Sequence, residues 1–229
     1  MPVFRSIVFS AALAGLIVGI VISVVQFFGT VPLIQQSEVY ERKALPTAHD
    51  HDKAHNHESE WEPEAGLQRH SFTVAANILT AIGFALLLTG AYAIRARPVT
   101  WREGLLSGLA GFVVFTAAPG LGLPPELPGM PVAELTARQT WWIATATATA
   151  GGLYLLVFRS TAWAAVVGLG LIAAPHLIGA PLAPETHSAV PAALSHRFIV
   201  VVTLTSLLFW ALLGVSTSIA FGRILRPQA

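Results

Sequence analysis

The run Ile7-Val8-Phe9-Ser10-Ala11-Ala12-Leu13-Ala14-Gly15-Leu16-Ile17-Val18-Gly19-Ile20-Val21-Ile22-Ser23-Val24-Val25-Gln26-Phe27-Phe28 decides the fold. Its 22 residues carry no charge. At about 1.5 Å per residue a helix of that length spans about 33 Å, enough to cross a ~30 Å hydrocarbon core. Arg5 precedes the run much as a basic residue precedes a signal-peptide core. The run is long enough to span, however, and no small-residue cleavage motif follows it cleanly. We read it as a retained first membrane helix from about Ser6 to Phe28, with Pro32 helping to end it.

The rest of the chain has the same character. Of 229 residues, 54% are hydrophobic and 11% charged, and the mean hydropathy is +0.66. A soluble domain of this size carries about 25% charged residues, so much of this surface must face lipid. The formal net charge of +1 leaves no electrostatic footprint for nucleic acid. The absence of cysteine excludes disulfides and thiolate metal sites. There is no glycine-rich Lys-Ser/Thr phosphate loop, so the chain does not itself hydrolyse ATP, and no nucleophile stands beside a base. The sequence is therefore not read as that of an enzyme.

Five further segments share the apolar pattern. They run from about Ser71 to Ile94, Gly104 to Ala118, Gln139 to Phe158, Thr161 to Ile178 and Phe198 to Phe221. The expected architecture is an all-α polytopic bundle of about six transmembrane helices in one membrane domain spanning 1–229. The segments at 104–118 and 161–178 are short and bounded or interrupted by proline, so five spans is the alternative. Between the first two helices lies a polar, histidine-rich extramembrane loop at about 35–70. Basic residues beside the helix ends set orientation. A cytoplasmic amino terminus places Arg5, Arg95, Arg97, Arg102, Arg159, Arg223 and Arg226 inside and the histidine-rich loop outside. Gly15 with Gly19, and Gly104 with Gly108, form small-xxx-small pairs suited to close helix contact. Thr145 and Thr149 share a helix face; bonding back to their own helix carbonyls is expected, and lining a path is the alternative.

The chemistry is concentrated in Ala48-His49-Asp50-His51-Asp52-Lys53-Ala54-His55-Asn56-His57-Glu58. Two His-x-His pairs, His49 with His51 and His55 with His57, alternate with carboxylates. Neutral imidazole and carboxylate oxygen are ligands for borderline divalent metals such as cobalt, nickel and zinc. Glu126, in a proline-stiffened loop, and His176, near the end of the fifth predicted helix, are expected on the same outer face. There they could form a preorganised metal site, although Arg138 or a helix end could claim Glu126 instead. Glu185, His187 and His196 lie nearby and are read as structural. No Asp, Glu, Lys or Arg stands in the middle of a predicted span. Gln26 and Asn77 are the polar exceptions, and a polar file reaching them would mark a transport path rather than an assembly role.

These features resemble a known family, the predicted cobalt transporter proteins called CbtA. The resemblance covers nearly the whole chain and rests on Val24-Val25-Gln26, the histidine-acid loop, Trp61-Glu62-Pro63 and Gly66-Leu67-Gln68-Arg69. It continues through Ala118-Pro119-Gly120-Leu121-Gly122-Leu123-Pro124-Pro125-Glu126-Leu127-Pro128-Gly129, Arg138-Gln139-Thr140-Trp141-Trp142 and Pro175-His176-Leu177-Ile178-Gly179-Ala180-Pro181. It implies about five spans and uptake of cobalt in a bacterial inner membrane. It also implies a small single-span, histidine-containing partner of the CbtB kind. The metal is then substrate, with nickel or zinc also compatible with these ligands. The competing expectation is a structural or assembly component of a larger membrane complex that binds metal incidentally.

Overall fold

The computed structural model describes residues 2–44, 66–95, 97–183 and 188–225. The described residues form seven helices and no strand. These are α1 (Pro2–Phe28), α2 (Thr30–Ala44), α3 (Leu67–Arg95), α4 (Trp101–Gly122), α5 (Leu135–Phe158), α6 (Ala162–Ile178) and α7 (Ala192–Leu225). Helices α1, α3, α4, α5 and α7 are long and apolar enough to cross a bilayer. Helix α6 is also apolar but shorter than these five, with 17 residues and a length of about 26 Å.

Of the two segments doubted on sequence, the one at 104–118 is the middle of a 22-residue helix. Its continuity depends on a π-helical turn at Val113–Ala117, where the Ala118 N–H donates to the Val113 carbonyl five residues back. The widened turn stands immediately before Pro119. In a regular helix the proline ring would meet the carbonyl four residues earlier. Pro32 also acts differently from expectation. It sits in the first turn of α2, where its missing N–H costs nothing. The stretch read as a polar loop from Gln35 is therefore helical as far as Ala44, and α3 begins at Leu67 rather than Ser71.

Local signals set the other boundaries. Thr100 and Glu103 close a capping box at the start of α4. Glu134 caps α5 by accepting from the N–H groups of Thr136 (2.9 Å) and Ala137 (2.7 Å). Those two N–H groups hold the Glu134 carboxyl below its ordinary value of 4.5. The cap is thus present above that value and weakens as the pH falls below it. Gly179, at φ +92°, ends α6 one turn beyond Pro175.

Lipid offers no hydrophobic drive for helix association, so close approach of backbones must supply the packing. Two glycine pairs do this. A Cβ on Gly15 or Gly19 would lie 2.6 Å from Ile82 or Ile78 of α3, so α1 and α3 touch along their backbones. At the α4–α7 crossing, a Cβ on Gly108 would lie 2.1 Å from the Trp210 carbonyl and one on Gly214 2.2 Å from the Gly104 carbonyl. A third contact, Gly152 on Gly168, pairs α5 with α6. The core common to α1, α3, α4 and α7 collects Ala11, Val18, Ala81, Ala85, Trp210 and Leu213, with Phe84 and Phe115 against them. Phe9, Leu13, Ile17, Ile20 and Val24 form the outward stripe of α1 that lipid covers.

The helices alternate in direction, and their end contacts show it. At one end Leu33 of α2, Leu127 of the proline-rich loop, and Val190 and Phe198 before and within α7 share a cluster. At the other end Arg95 bonds Glu103 at 3.0 Å and the Tyr92 ring lies 6.1 Å from that of Phe221, tilted at 55°. These are called the α2 end and the Arg95 end below. Thr89, Thr203 and Thr217 bond back to carbonyls of their own helices. Thr145 and Thr149 depart from that expectation: both are fully buried, and their hydroxyls have no hydrogen-bond partner among the described residues.

Because Gly19 and Gly108 face backbone whereas Gly83 and Gly90 face open space, their substitution should separate cleanly. Gly19→Leu and Gly108→Leu should each destabilise the detergent-solubilised protein by about 1–3 kcal/mol or more, read as a lower thermal midpoint. Gly83→Ala and Gly90→Ala should leave the midpoint unchanged or raise it slightly.

Candidate functional site

Helix α2 explains why a cavity opens at its end of the bundle. It is amphipathic, with Leu33 and Ser37 buried and Gln35, Glu38 and Arg42 turned to a water-accessible space. That space is a vestibule of about 500 Å³ between α2, the first turns of α3, and α7. Arg69 of α3 donates to Glu38 Oε1 of α2 at 2.5 Å, tying the two walls together. Arg42 Nε donates to the Glu38 carbonyl at 3.2 Å. His70 lines the same space, its ring set edge-on to Phe27 at 5.3 Å.

Below the vestibule lies an inner chamber of about 210 Å³. The two spaces share Gln26, Thr205 and Ser206 as lining, and the chamber adds Asn77, Thr80 and Thr116. Asn77 of α3 spends its amide hydrogens on α1: Nδ2 donates to Gln26 Oε1 at 2.7 Å and to Ser23 Oγ at 3.0 Å. Ser23 Oγ in turn donates to the Gly19 carbonyl at 2.8 Å. The polar pair therefore stands one turn from the glycine contact that brings α1 against α3.

The chamber ends on aromatic rings. Phe84 lies 4.7 Å from Trp210, Phe115 stacks on Trp210 at 5.5 Å and 7°, and Phe209 meets Trp210 edge-on at 5.5 Å. The position of Trp210 is fixed from two sides. Its Nε1 donates to Thr116 Oγ1 of the π turn at 3.3 Å, and its six-membered ring lies over Gly111, where a Cβ would approach to 2.3 Å. The π turn thus supplies both a stacking ring, Phe115, and a hydrogen-bond acceptor, Thr116, to the chamber floor.

The residues singled out from sequence fall into three groups. Gln26 and Asn77 are brought into direct contact at the chamber. Glu126 and His176 lie at the α2 end, but each has its own neighbour. Glu126 Oε2 accepts from Arg138 at 2.5 Å, and His176 sets its ring edge-on to Trp141 at 5.8 Å. Trp141 Nε1 donates to the Pro175 carbonyl at 3.3 Å, which fixes the end of α6 on α5. Among the described residues no three His, Asp or Glu side chains gather as a metal would require. His49, His51, His55 and His57 lie outside the described residues, as do Glu185 and His187. The segment carrying the four histidines begins after Ala44 and ends before Gly66, and both flanks belong to the vestibule, through Arg42 on one side and Gly66 and Arg69 on the other.

Sequence reading missed Glu38, Arg69 and His70 as vestibule residues and Thr205 and Ser206 as lining. The alternation of polar and apolar residues over Thr30–Ala44 was the available signal for α2. Thr205 and Ser206 gave none, because hydroxyls in a membrane helix usually bond to their own backbone.

The fold defines a polytopic α-helical membrane protein with two neighbouring cavities at one end that share Gln26, Thr205 and Ser206 as lining. Residues 4–222 match the family described as probable cobalt transporter subunit (CbtA), and the chain belongs to that family. No curated protein and no solved structure matches it.

The interactions at the site differ in weight. The Glu38–Arg69 pair is partly exposed, so Glu38→Gln should change stability by less than about 1 kcal/mol. Asn77→Leu removes two bonds inside the membrane and should cost roughly 0.6–1.7 kcal/mol. Thermal unfolding of the two variants in detergent checks the order.

Proposed function

We propose that the chain is the membrane subunit of a divalent metal uptake system, cobalt being the favoured cargo, which captures the ion on an outer histidine-rich segment and passes it into the bundle. Transport and cobalt come from the family, a probable cobalt transporter subunit. The single observation that carries the mechanism is the pair of adjacent cavities at the α2 end that share Gln26, Thr205 and Ser206 as lining. They begin beside both flanks of the histidine segment and reach the Gln26–Asn77 pair inside the membrane. A structural or assembly component has no need of such a file.

His49, His51, His55 and His57 are the capture ligands, working with the neighbouring carboxylates. Only 21 residues separate Ala44 from Gly66, so metal held there stays at high effective concentration over the vestibule. The imidazoles must be neutral to bind, so capture weakens as the pH falls through about 6.5. Glu126 and His176 supply a second outer position, with Glu126 taking a cation when Arg138 yields it. The excess of arginine at the other end, with Arg5, Arg95, Arg97, Arg102, Arg159 and Arg223, favours that end as cytoplasmic and the α2 end as outside. The chain acts without an enzymatic step, beside lipid and a small single-span, histidine-containing partner.

Replacing His49, His51, His55 and His57 together with alanine should reduce cobalt uptake several-fold at limiting external metal and little at saturation. The wild-type advantage should shrink between pH 7.5 and pH 5.5. Uptake unchanged at every concentration would remove the segment from transport.

Glu126→Gln preserves size while removing the charge. Uptake should fall at saturating as well as limiting metal, with the amount of folded protein unchanged. Normal uptake by this variant would leave Glu126 as a structural partner of Arg138 alone.

A further inference from the structure

The inner chamber combines three properties. It adjoins the vestibule and shares lining with it, its wall carries the oxygen-bearing side chains of Gln26, Asn77, Thr80, Thr116, Thr205 and Ser206 beside aromatic rings, and none of its lining residues carries a carboxylate, imidazole or ammonium group. A divalent first-row cation in such a place meets only neutral oxygen ligands, which replace its water poorly. Shedding the hydration shell is costly, and proteins that strip it use charged or imidazole ligands. The alternative is to keep the shell and bond to it.

The chamber has the room and the acceptors for that. Its space of about 210 Å³ takes several waters, each of which needs about 10–15 Å³ by the same measure. Waters bound to a cation are strong donors, so their partners must be acceptors. The hydrogen bonds between α1 and α3 leave acceptors there. Both amide hydrogens of Asn77 are directed to Ser23 and Gln26, so its carbonyl oxygen can only accept. Gln26 Oε1 retains a second lone pair beyond the one that takes the Asn77 hydrogen. Thr80, Thr205 and Ser206 supply hydroxyl oxygens around the same space.

We propose that the chamber is a binding site for a fully hydrated divalent cation, held by hydrogen bonds from its waters to Gln26, Asn77, Thr80, Thr205 and Ser206 and stopped below by the Phe84–Phe115–Trp210 rings. This deepens the transport reading and rests on it for the direction of travel, but the site itself is a matter of binding. One consequence separates it from ordinary chelation. The chamber recognises the outer shell of an octahedral complex and not the metal's own ligand preference, so cobalt, nickel and magnesium are equivalent there. Choice among them falls to ligands met earlier.

The test uses cobalt(III) hexaammine, which presents six N–H-bearing ammonia ligands in place of waters and does not exchange them. The full chain with His49, His51, His55, His57 and His176 replaced by alanine and Glu126 by glutamine is purified in detergent, and binding of Co²⁺, Mg²⁺ and the hexaammine is measured by calorimetry and competition. The expected result is that the hexaammine and Mg²⁺ each displace Co²⁺. The X-ray absorption spectrum of bound Co²⁺ should remain that of the aqua ion. Asn77→Leu and the milder Thr205→Val should each weaken all three ligands at least several-fold, with Thr205→Val keeping the parent thermal midpoint. Co²⁺ binding that the hexaammine cannot displace, a spectrum showing protein ligands on the metal, or no binding by the parent variant overturns the proposal. Uptake into proteoliposomes is measured separately. Binding as described without uptake would sink the transport reading and leave the site standing, whereas uptake without such binding would do the reverse.

Discussion

The bundle depends on backbone touching backbone at glycine. In a bilayer, two apolar helices gain nothing by leaving lipid for each other unless they approach closely enough for dispersion contacts and weak hydrogen bonds to add up. Gly15 and Gly19 bring α1 onto Ile78 and Ile82 of α3, and Gly104, Gly108 and Gly214 bring α4 onto α7. Everything functional hangs from these two crossings. The first sets Asn77 within reach of Gln26 and Ser23. The second carries Trp210 across α4, over Gly111 and beside the π turn. Beyond the reach of these two crossings, at the α2 end, α2, α3 and α7 part to leave the vestibule.

The polar path is unusual in what it omits. Transport proteins commonly place ionisable groups at mid-membrane to pair with their cargo. Here the charged side chains stay at the ends: Glu38, Arg42 and Arg69 in the vestibule, Glu126 with Arg138 beside it, and Arg95 with Glu103 at the other end. The chamber between them is neutral. In the reading proposed above, such a neutral site leaves discrimination to whatever presents the ion, and that task falls to the histidine-acid segment between Ala44 and Gly66.

The π turn in α4 links packing to this path. Pro119 requires a local departure from regular helix, and the widened turn at Val113–Ala117 provides it. The same turn aims Phe115 at Trp210 and offers Thr116 Oγ1 to the indole N–H. Wide turns of this sort recur at functional positions because they redirect side chains without ending the helix. One proline thus accounts for both the continuity of α4 and the floor of the chamber.

The sequence by itself determined the class and the segments of this protein. Apolar runs longer than a bilayer is thick admit one solution, a helix that satisfies its own backbone, so α1, α3, α5 and α7 were legible almost to their ends. Gly15, Gly19, Gly104 and Gly108 were legible as contact positions because close approach has a local signature. The tertiary structure alone decided how far α4 continues past its proline, that Glu126 goes to Arg138 and His176 to Trp141, and that Gln26 meets Asn77. It alone showed that Glu38, His70, Thr205 and Ser206 face one cavity. The physical reason is the same in each case. Whether a run spans a membrane depends on residues next to one another in the chain, whereas a lining depends on which faces of α1, α2, α3 and α7 turn towards each other, and residues 26, 38, 77 and 205 are joined only by that packing.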